Sequence, residues 1–135
     1  MSEIQTYKFY AGNRWHEPSS EKYFESEDPS IGKVWAKVPD CNEKDINLAV
    51  SSAKHAYYDG PYGKMHPAER GRTLTRIGDI IAKNAERIGQ IETKDNGKLP
   101  KNIIPSLTSW QTESFYYYAG MCDKYGGRLI PSEVP

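Results

Sequence analysis

The sequence predicts an α/β chain in which short antiparallel strands are followed by three helices. Two observations support this prediction. Aromatic-rich runs separated by turn residues occupy positions 1–40, which is typical of β hairpins. From residue 42 onward the apolar residues recur at helical spacing instead. Because strands and helices do not alternate further along the chain, nothing in these 135 residues predicts a doubly wound parallel sheet.

Turn residues divide the β region into short strands. A hairpin is predicted around Ala11-Gly12-Asn13, between two aromatic-rich runs. A second pair of strands is predicted near residues 22–26 and 34–38. A turn at residues 28–32 joins these two strands, and Pro39 ends the second one.

The first helix is predicted over residues 42–58. Asn42 suits the N-cap position, and Asp45 stands three residues later, where a capping box needs its acceptor. The sequence Asp59-Gly60-Pro61 ends the helix. The apolar residues of this segment share one stripe, which consists of Ile46, Ala49, Val50, Ala53 and Tyr57.

One long helix is predicted over residues 66–95. Pro67 suits the first helical position, and Gly97 suits the C-terminal cap. Charged residues surround an apolar stripe that consists of Leu74, Ile77, Ile81, Ile88 and Ile91.

A third, aromatic helix is predicted over residues 106–125, and Gly126-Gly127 closes it. Its tyrosines and tryptophan allow two interpretations, which are core packing and the wall of an apolar channel for a small organic ligand. Pro105 is expected to delay the start of the helix. The last segment, RLIPSEVP at residues 128–135, reads as a short extended piece.

Composition limits the functional classes. Lys and Arg number 18 and Asp and Glu also number 18, so the net charge is zero, which argues against a nucleic-acid partner. No apolar run is long enough for a membrane span, and the first residues do not resemble a signal peptide, so a cytoplasmic protein is expected. Leu, Ile, Val and Phe make up only 23 of the 135 residues, below the fraction of about 20% that a packed core normally needs. The chain is therefore expected to pack against more protein.

The sequence contains few candidates for chemistry. It has no glycine-rich nucleotide loop and no nucleophile elbow. The histidines are scattered, and the two cysteines do not form a metal-binding pair. Cys41 precedes a helix N-terminus, where a thiolate is favoured, although a plain turn residue is the competing interpretation. Cys122 on the aromatic helix is predicted to be a packing residue.

Several motifs in a fixed order carry a family resemblance. These motifs are DPSIGKVWAKVP, NEKDINLAVSSAKHAY, PYGKMHPAERGR, IETKDNGK and FYYYAGMCDKYGGRLIP. Their order, from Tyr7 to Pro131, resembles the N-terminal segment of the aldehyde dehydrogenase superfamily. The resemblance implies the first part of the cofactor-binding domain, with the Rossmann-like core itself absent from this chain.

The resemblance also implies a reaction for the complete enzyme. A cysteine thiolate would attack an aldehyde to give a thiohemiacetal, hydride would pass to NAD or NADP, and the product would be a carboxylic acid. The nucleophilic cysteine, the glutamate base and the cofactor-binding residues of the family lie downstream of this chain. No catalytic or cofactor-binding residue is therefore assigned here, and the isolated chain is expected to be inactive.

Two sites carry over from the family by position. A monovalent cation is expected at Ser26, Glu27 and Asp95, since hard oxygen ligands suit such an ion. The competing interpretation is that Asp95 and its neighbour only finish the helix by bonding to local backbone. A substrate channel is expected to be lined by Trp110, with Ser106 and Ser114 beside it.

The expected partners follow from the same resemblance. They are an aldehyde substrate and the remainder of the polypeptide or another subunit, with a homo-oligomer as the complete assembly and with no nucleic acid or membrane. The alternative function is a non-catalytic, truncated interaction module that pairs with a full-length subunit or with itself. An exposed tyrosine-rich helix would favour such pairing.

Overall fold

The structure is a computed structural model that describes residues 4–127. Five short strands precede the helices: β1 (Gln5–Thr6), β2 (Phe9–Ala11), β3 (Arg14–His16), β4 (Tyr23–Asp28) and β5 (Lys33–Pro39). The segment 128–135, which was predicted to be extended, lies outside the described residues.

Strands β2 and β3 form the predicted hairpin. They pair antiparallel, with Tyr10 opposite Trp15. The two turn residues, Gly12 and Asn13, both have positive φ, as a tight hairpin turn requires. The Tyr10 hydroxyl donates a hydrogen bond to the Asn13 side chain across the turn. The local sequence is therefore sufficient to explain this hairpin.

The other three strands form one sheet with the order β1-β5-β4. Strands β4 and β5 are antiparallel, and the turn between them is closed by Asp28, whose carboxylate accepts hydrogen bonds from the Ser30 backbone and hydroxyl. Strand β1 runs parallel to β5, so the prediction that all strands are antiparallel was wrong for this pair. The reason is that the β2–β3 hairpin and β4 separate β1 from β5 along the chain, and no local pattern encodes that crossover.

Helix α1 (Glu43–Tyr58) begins as predicted. The Asn42 side chain accepts hydrogen bonds from Lys44 and Asp45, and the Asp45 carboxylate accepts one from the Asn42 backbone. Both Asp45 carboxylate oxygens also accept from the Ser19 backbone N–H at 3.1 Å. This buried carboxylate thus fastens the β region to the helical region. A short helix that was not predicted, α2 (Pro61–Lys64), follows.

The predicted long helix is two helices, α3 (Pro67–Lys83) and α4 (Ala85–Asn96), so the prediction of one helix over residues 66–95 was wrong. The break is at Asn84, whose side-chain amide donates to the Ile80 carbonyl while its backbone N–H bonds to Ile80 and Ile81. Asparagine competes in this way with the regular helical bonds. The apolar periodicity continues across the break and therefore hides it.

The predicted aromatic helix is also different. Helix α5 (Pro100–Ser106) leads directly into a π-helical turn (Leu107–Gln111) and then into α6 (Thr112–Met121). The helical run begins at Pro100, not at residue 106, and ends before residue 125. Pro105 lies inside it and does not delay its start, because Pro100 already occupies the first helical position. None of the helices in the described part is long and apolar enough to cross a membrane.

Helices α3 and α6 pack closely because glycine residues of α3 face α6. A Cβ on Gly71 would lie 2.7 Å from the Ala119 carbonyl oxygen, and one on Gly78 would lie 2.8 Å from the Tyr116 ring. These contacts bring α3 against α6. A small buried cluster lies where α4 meets α5 and the π turn, and it consists of Ala85, Ile103 and Leu107.

The core is as small as the composition predicts. No large side chain among residues 4–127 is fully buried. Apolar side chains remain exposed on α1 and on the aromatic run, namely Ile46, Leu48, Val50, Tyr57, Tyr58, Trp110, Tyr117 and Tyr118. The described chain leaves these side chains in solvent.

Replacing Gly71 by alanine should destabilise the chain. The added methyl group meets a backbone carbonyl that cannot move without shifting α6, and such overpacking costs about 1–3 kcal/mol. The better helix propensity of alanine recovers up to about 1 kcal/mol. We expect a net loss of about 1–2 kcal/mol in the free energy of unfolding, measured by urea denaturation.

Gly120→Ala is the matched control, since a Cβ there has no heavy atom within 4 Å. This variant should be neutral or slightly more stable. Equal effects of the two substitutions would show that the close approach of α3 and α6 is not under steric constraint.

The Asp45 carboxylate should make the stability of the fold depend on pH in the acidic range. Burial raises its pKa, but the hydrogen bonds from Asn42 and Ser19 outweigh burial, so the pKa lies below its ordinary value of 3.8. A pKa that is lower in the folded state stabilises the fold at pH values above the unfolded-state pKa. This stabilisation is lost as pH falls through the folded-state pKa. Asp45→Asn should therefore lower Tm at pH 7, and the difference from the native chain should shrink below about pH 4.

Asp40→Asn is the control, because the Asp40 side chain makes no comparable bonds to Ser19 or Asn42. Its melting curves should follow those of the native chain. A constant Tm difference between Asp45→Asn and the native chain from pH 7 to pH 3 would contradict the assigned role of the carboxylate.

Candidate functional site

A chain of hydrogen bonds joins strand β4 to the end of helix α4. The Ser26 hydroxyl donates to an Asp95 carboxylate oxygen at 2.8 Å. The indole Nε1–H of Trp35, on the neighbouring strand β5, donates to the same Ser26 oxygen at 3.1 Å. The structure thus brings together two of the three predicted cation ligands, although 69 residues separate them in sequence.

The run Asp95-Asn96-Gly97-Lys98 also ends the helix. Gly97 adopts a left-handed conformation with φ of 78°, and its N–H bonds to the Thr93 carbonyl. The Asn96 side chain accepts from the Lys98 backbone N–H. Asn96 therefore serves the local backbone, as the competing interpretation proposed, whereas the Asp95 carboxylate reaches across to the sheet.

Gly97 places the helix end against the turn between β4 and β5. A Cβ on Gly97 would lie 3.0 Å from Cγ of Pro29. A side chain at this position would meet the proline ring as well as the strain of positive φ. The two sequence motifs that carry the family resemblance, Asp-Pro and Asp-Asn-Gly-Lys, are consequently in contact.

An ion pair completes this junction, which we define as Ser26, Pro29, Trp35, Glu92, Asp95, Gly97 and Lys98. The Lys98 ammonium lies 2.5 Å from Glu92, and the Asn96 amide donates to the same carboxylate oxygen. The hydrogen bond from Lys98 lowers the pKa of Glu92 despite the opposing effect of burial. Lys98, which follows the end of α4, is thus bonded back to Glu92 within the helix.

The three predicted ligands, the Ser26 hydroxyl, the Glu27 carbonyl and the Asp95 carboxylate, are oxygen donors, which suit a monovalent cation. Glu27, whose backbone carbonyl was the third predicted ligand, follows Ser26 at a shift in the β4–β5 register. The Ser26 oxygen already accepts from Trp35 and donates to Asp95, so an ion would have to compete with the Ser26–Asp95 bond. Within residues 4–127, no group of three or more His, Cys, Asp or Glu side chains is arranged to hold a metal ion.

The predicted channel residues lie along the run from α5 to α6. Trp110 lies in the π turn and is 72% exposed. The Ser114 hydroxyl donates to the Trp110 carbonyl at 2.9 Å, and the Ser106 hydroxyl accepts from the Gln111 amide at 3.2 Å. All three residues thus lie on one helical run, where Trp110 is exposed and Ser106 and Ser114 are half-buried.

The direction of Trp110 depends on the π turn, which sequence reasoning missed. The Thr112 hydroxyl, on a buried side chain, donates to the Leu107 carbonyl, and the Ser109 hydroxyl donates to the Pro105 carbonyl. These bonds satisfy carbonyls that a regular helix would pair differently. Pro105, with no N–H to donate, was the only signal in the sequence.

The cysteines do not form a reactive site. Burial raises the pKa of Cys41, and the negative charges of Asp45 and Asp40 raise it further. The interpretation of Cys41 as a stabilised thiolate was therefore wrong, because the carboxylates of Asp40 and Asp45 place negative charge near the thiol. The Cys122 thiol donates to the Tyr118 carbonyl and packs near Gly71, which agrees with a packing role.

Comparison with known proteins identifies the class to which this fold belongs. The matching family model is described as the aldehyde dehydrogenase family, and it covers residues 15–135. The chain belongs to the aldehyde dehydrogenase family.

Individual relatives match nearly the whole chain. It is 31% identical, over 98% of its length, to (Z)-2-((N-methylformamido)methylene)-5-hydroxybutyrolactone dehydrogenase from Acinetobacter baylyi. It is 35% identical, over 96% of its length, to mitochondrial aldehyde dehydrogenase from Rattus norvegicus. These matches cover 26% and 25% of the two relatives, so the chain spans about a quarter of their length.

Solved structures agree with the fold. The NAD+ complex of aldehyde dehydrogenase from Bacillus cereus superposes with a TM-score of 0.90 at 31% identity, over 96% of this chain and 26% of that one. Betaine aldehyde dehydrogenase from Staphylococcus aureus superposes with a TM-score of 0.86 at 25% identity, over 98% of this chain and 26% of that one. The predicted family and the predicted α/β segment are thereby confirmed.

Replacing Ser26 by alanine should loosen the junction. The substitution removes one donor to Asp95 and the acceptor of the Trp35 indole, and each such bond contributes about 0.5–1.5 kcal/mol. We expect the free energy of unfolding to fall by about 1–2 kcal/mol and the emission of Trp35 to shift. Urea denaturation and fluorescence of a variant that retains only Trp35 measure the two effects.

Ser51→Ala on the exposed surface of α1 is the control, and neither quantity should change. An unchanged Trp35 emission in Ser26→Ala would argue against the indole bond.

Proposed function

We propose that this chain is the N-terminal portion of an NAD(P)+-dependent aldehyde dehydrogenase that oxidises an aldehyde to a carboxylic acid. The observation that supports this proposal is the family match over residues 15–135 together with the limited share of each relative that the chain covers. In the complete enzyme, NAD or NADP would accept the hydride. The choice between the two cofactors depends on residues outside this chain.

The chain's own contribution is structural. The junction holds the three-stranded sheet against the end of α4, and the glycine contacts hold α3 against α6. A site for the dinucleotide does not fit these residues, because the sequence lacks a glycine-rich phosphate loop and the sheet within residues 4–127 has only one parallel pair. A catalytic nucleophile does not fit Cys41, whose pKa is raised. The isolated chain should therefore be inactive.

We further propose that Trp110 forms part of the wall of the aldehyde channel, with Ser106 and Ser114 beside it. Its 72% exposure supports this role, since the described part of the chain leaves the ring available to another part of the protein. A large ring at a channel entrance would discriminate among aldehydes by size. The hydroxyls of Ser106 and Ser114 form hydrogen bonds within the helical run. The two serines would therefore shape the channel wall more than they would bond to the aldehyde.

The proposed cation at Ser26, Glu27 and Asp95 would strengthen the same junction. An ion there would neutralise the Asp95 carboxylate and link strand β4 to helix α4. Binding would have to offset the loss of the Ser26–Asp95 hydrogen bond, so we expect a modest effect of potassium or sodium on stability.

A truncated interaction module is the second candidate function. The exposed apolar side chains of α1 and of the aromatic run favour it, because a free-standing chain would present them to solvent. The partner would be a full-length subunit or a second copy of the chain. A homo-oligomer of the complete enzyme would bury such surfaces as well.

The decisive experiment has two parts. The purified chain should form no NADH from NAD+ and a panel of aldehydes. A chimera in which this chain replaces the matching segment of the Bacillus cereus enzyme should oxidise aldehydes. In that chimera, Trp110→Ala should change the kcat/KM ratio of a bulky to a small aldehyde roughly tenfold, since one altered pocket contact is worth about 1–3 kcal/mol.

Trp15→Ala provides the matched control, because Trp15 is comparably exposed but lies in the β2–β3 hairpin. The ratio of kcat/KM for the bulky aldehyde to that for the small one should equal the ratio of the unmodified chimera. Turnover by the chain alone would contradict the scaffold role, and so would an inactive chimera that is correctly folded by circular dichroism. Self-association of the chain in sedimentation experiments, combined with an inactive chimera, would favour the interaction module.

A further inference from the structure

A cleft lies between the sheet and helix α4, away from the channel residues. Its volume is about 450 Å³, within the range of small-molecule sites. The sheet contributes Gln5, Tyr7, Val34 and Trp35, and the helix contributes Arg87, Gln90, Ile91 and Lys94. We call these eight residues the basic cleft. Its only formally charged side chains are the two cations.

The helix side of the cleft is one continuous face. Arg87, Gln90, Ile91 and Lys94 are spaced at i, i+3, i+4 and i+7, which places them on the same side of α4. Arg87 and Lys94 are two turns apart, or about 10 Å along the axis. The two residues are therefore anchored on either side of Gln90 and Ile91, and their long side chains allow both charged groups to approach one anion between them.

These two cations form no ion pair within residues 4–127. The acidic residues of α4 bond to other side chains. Glu86 accepts from Gln90, Glu92 pairs with Lys98, and Asp95 accepts from Ser26.

Asp28 is the carboxylate that interacts electrostatically with Lys94. Two hydrogen bonds from Ser30 lower its pKa, and the charge of Lys94 makes a smaller contribution. The charge of Lys94 is therefore partly compensated by Asp28, whereas no carboxylate within residues 4–127 forms an ion pair with Arg87.

The opposite wall is aromatic and held in place. The rings of Tyr7 and Trp35 meet edge to face with centroids 6.0 Å apart. The bond from the Trp35 indole to Ser26 fixes the orientation of the larger ring. A planar group can pack against such a preformed surface without ordering it first.

We propose that the basic cleft binds a small organic anion that carries a planar ring. The anionic group contacts Arg87 and Lys94, since guanidinium and ammonium groups form strong charge-assisted bonds to phosphate and carboxylate oxygens. The ring packs against Trp35 and Tyr7. None of the cleft residues belongs to the proposed channel, so the two sites use different residues.

Titration of the 135-residue chain with phenyl phosphate tests the proposal. Trp15 and Trp110 are replaced by phenylalanine so that Trp35 reports binding. We expect a saturable change in Trp35 emission, weaker binding of inorganic phosphate, which lacks the ring, and no saturable change with phenol, which lacks the anion. Benzoate shows whether a carboxylate can replace the phosphate, and saturable binding of either aromatic anion supports the site.

Charge-removing variants locate the ligand. Arg87→Gln should raise the dissociation constant about tenfold, and Lys94→Gln should raise it less because Asp28 already shares its charge. Lys101→Gln on α5, which removes the same charge outside the cleft, should leave the constant unchanged. The proposal is overturned if neither aromatic anion saturates, if phenol binds as well as phenyl phosphate, or if all three folded variants bind alike.

Discussion

The close approach of neighbouring helices at glycine positions is the constraint on which the rest of this structure depends. The chain has few aliphatic residues, so it cannot fill wide gaps between helices with large side chains. Gly71 and Gly78 let α3 lie directly against α6, and Gly89 lets α4 lie against Ile104 of α5. The small cluster at Ala85, Ile103 and Leu107 is then sufficient to form a continuous buried contact between helices.

Hydrogen bonds attach the β region to this helical framework. The Asp45 carboxylate holds the loop at Ser19, and the Ser26 hydroxyl holds the end of α4 through Asp95. Both contacts are polar and specific in direction, which compensates for a sheet that buries little apolar surface. The same arrangement positions the candidate sites, because Trp35 borders both the junction and the basic cleft. Stability and candidate function thus share residues in this part of the chain.

Local signals in the sequence predicted the elements that depend on local bonds. The Asn42 cap, the turn at Gly12-Asn13 and the left-handed Gly97 all follow from the chemistry of one or two residues. The break at Asn84 was missed because an asparagine inside an apolar repeat is usually tolerated, and its bonds to Ile80 and Ile81 appear only once the helix has formed. The π turn was missed for a similar reason, since Thr112 stabilises it through a buried bond that spacing does not reveal.

The sequence by itself determined the family, a β region followed by helices, and the caps at Asn42 and Gly97, because motifs and periodicity are properties of neighbouring positions. Only the tertiary structure decided that Ser26 meets Asp95, that β1 runs parallel to β5, and that Arg87 and Lys94 face an aromatic wall. These relations join residues far apart along the chain. They depend on how closely the helices and the sheet approach, which is set by packing and by long-range hydrogen bonds and not by any local pattern.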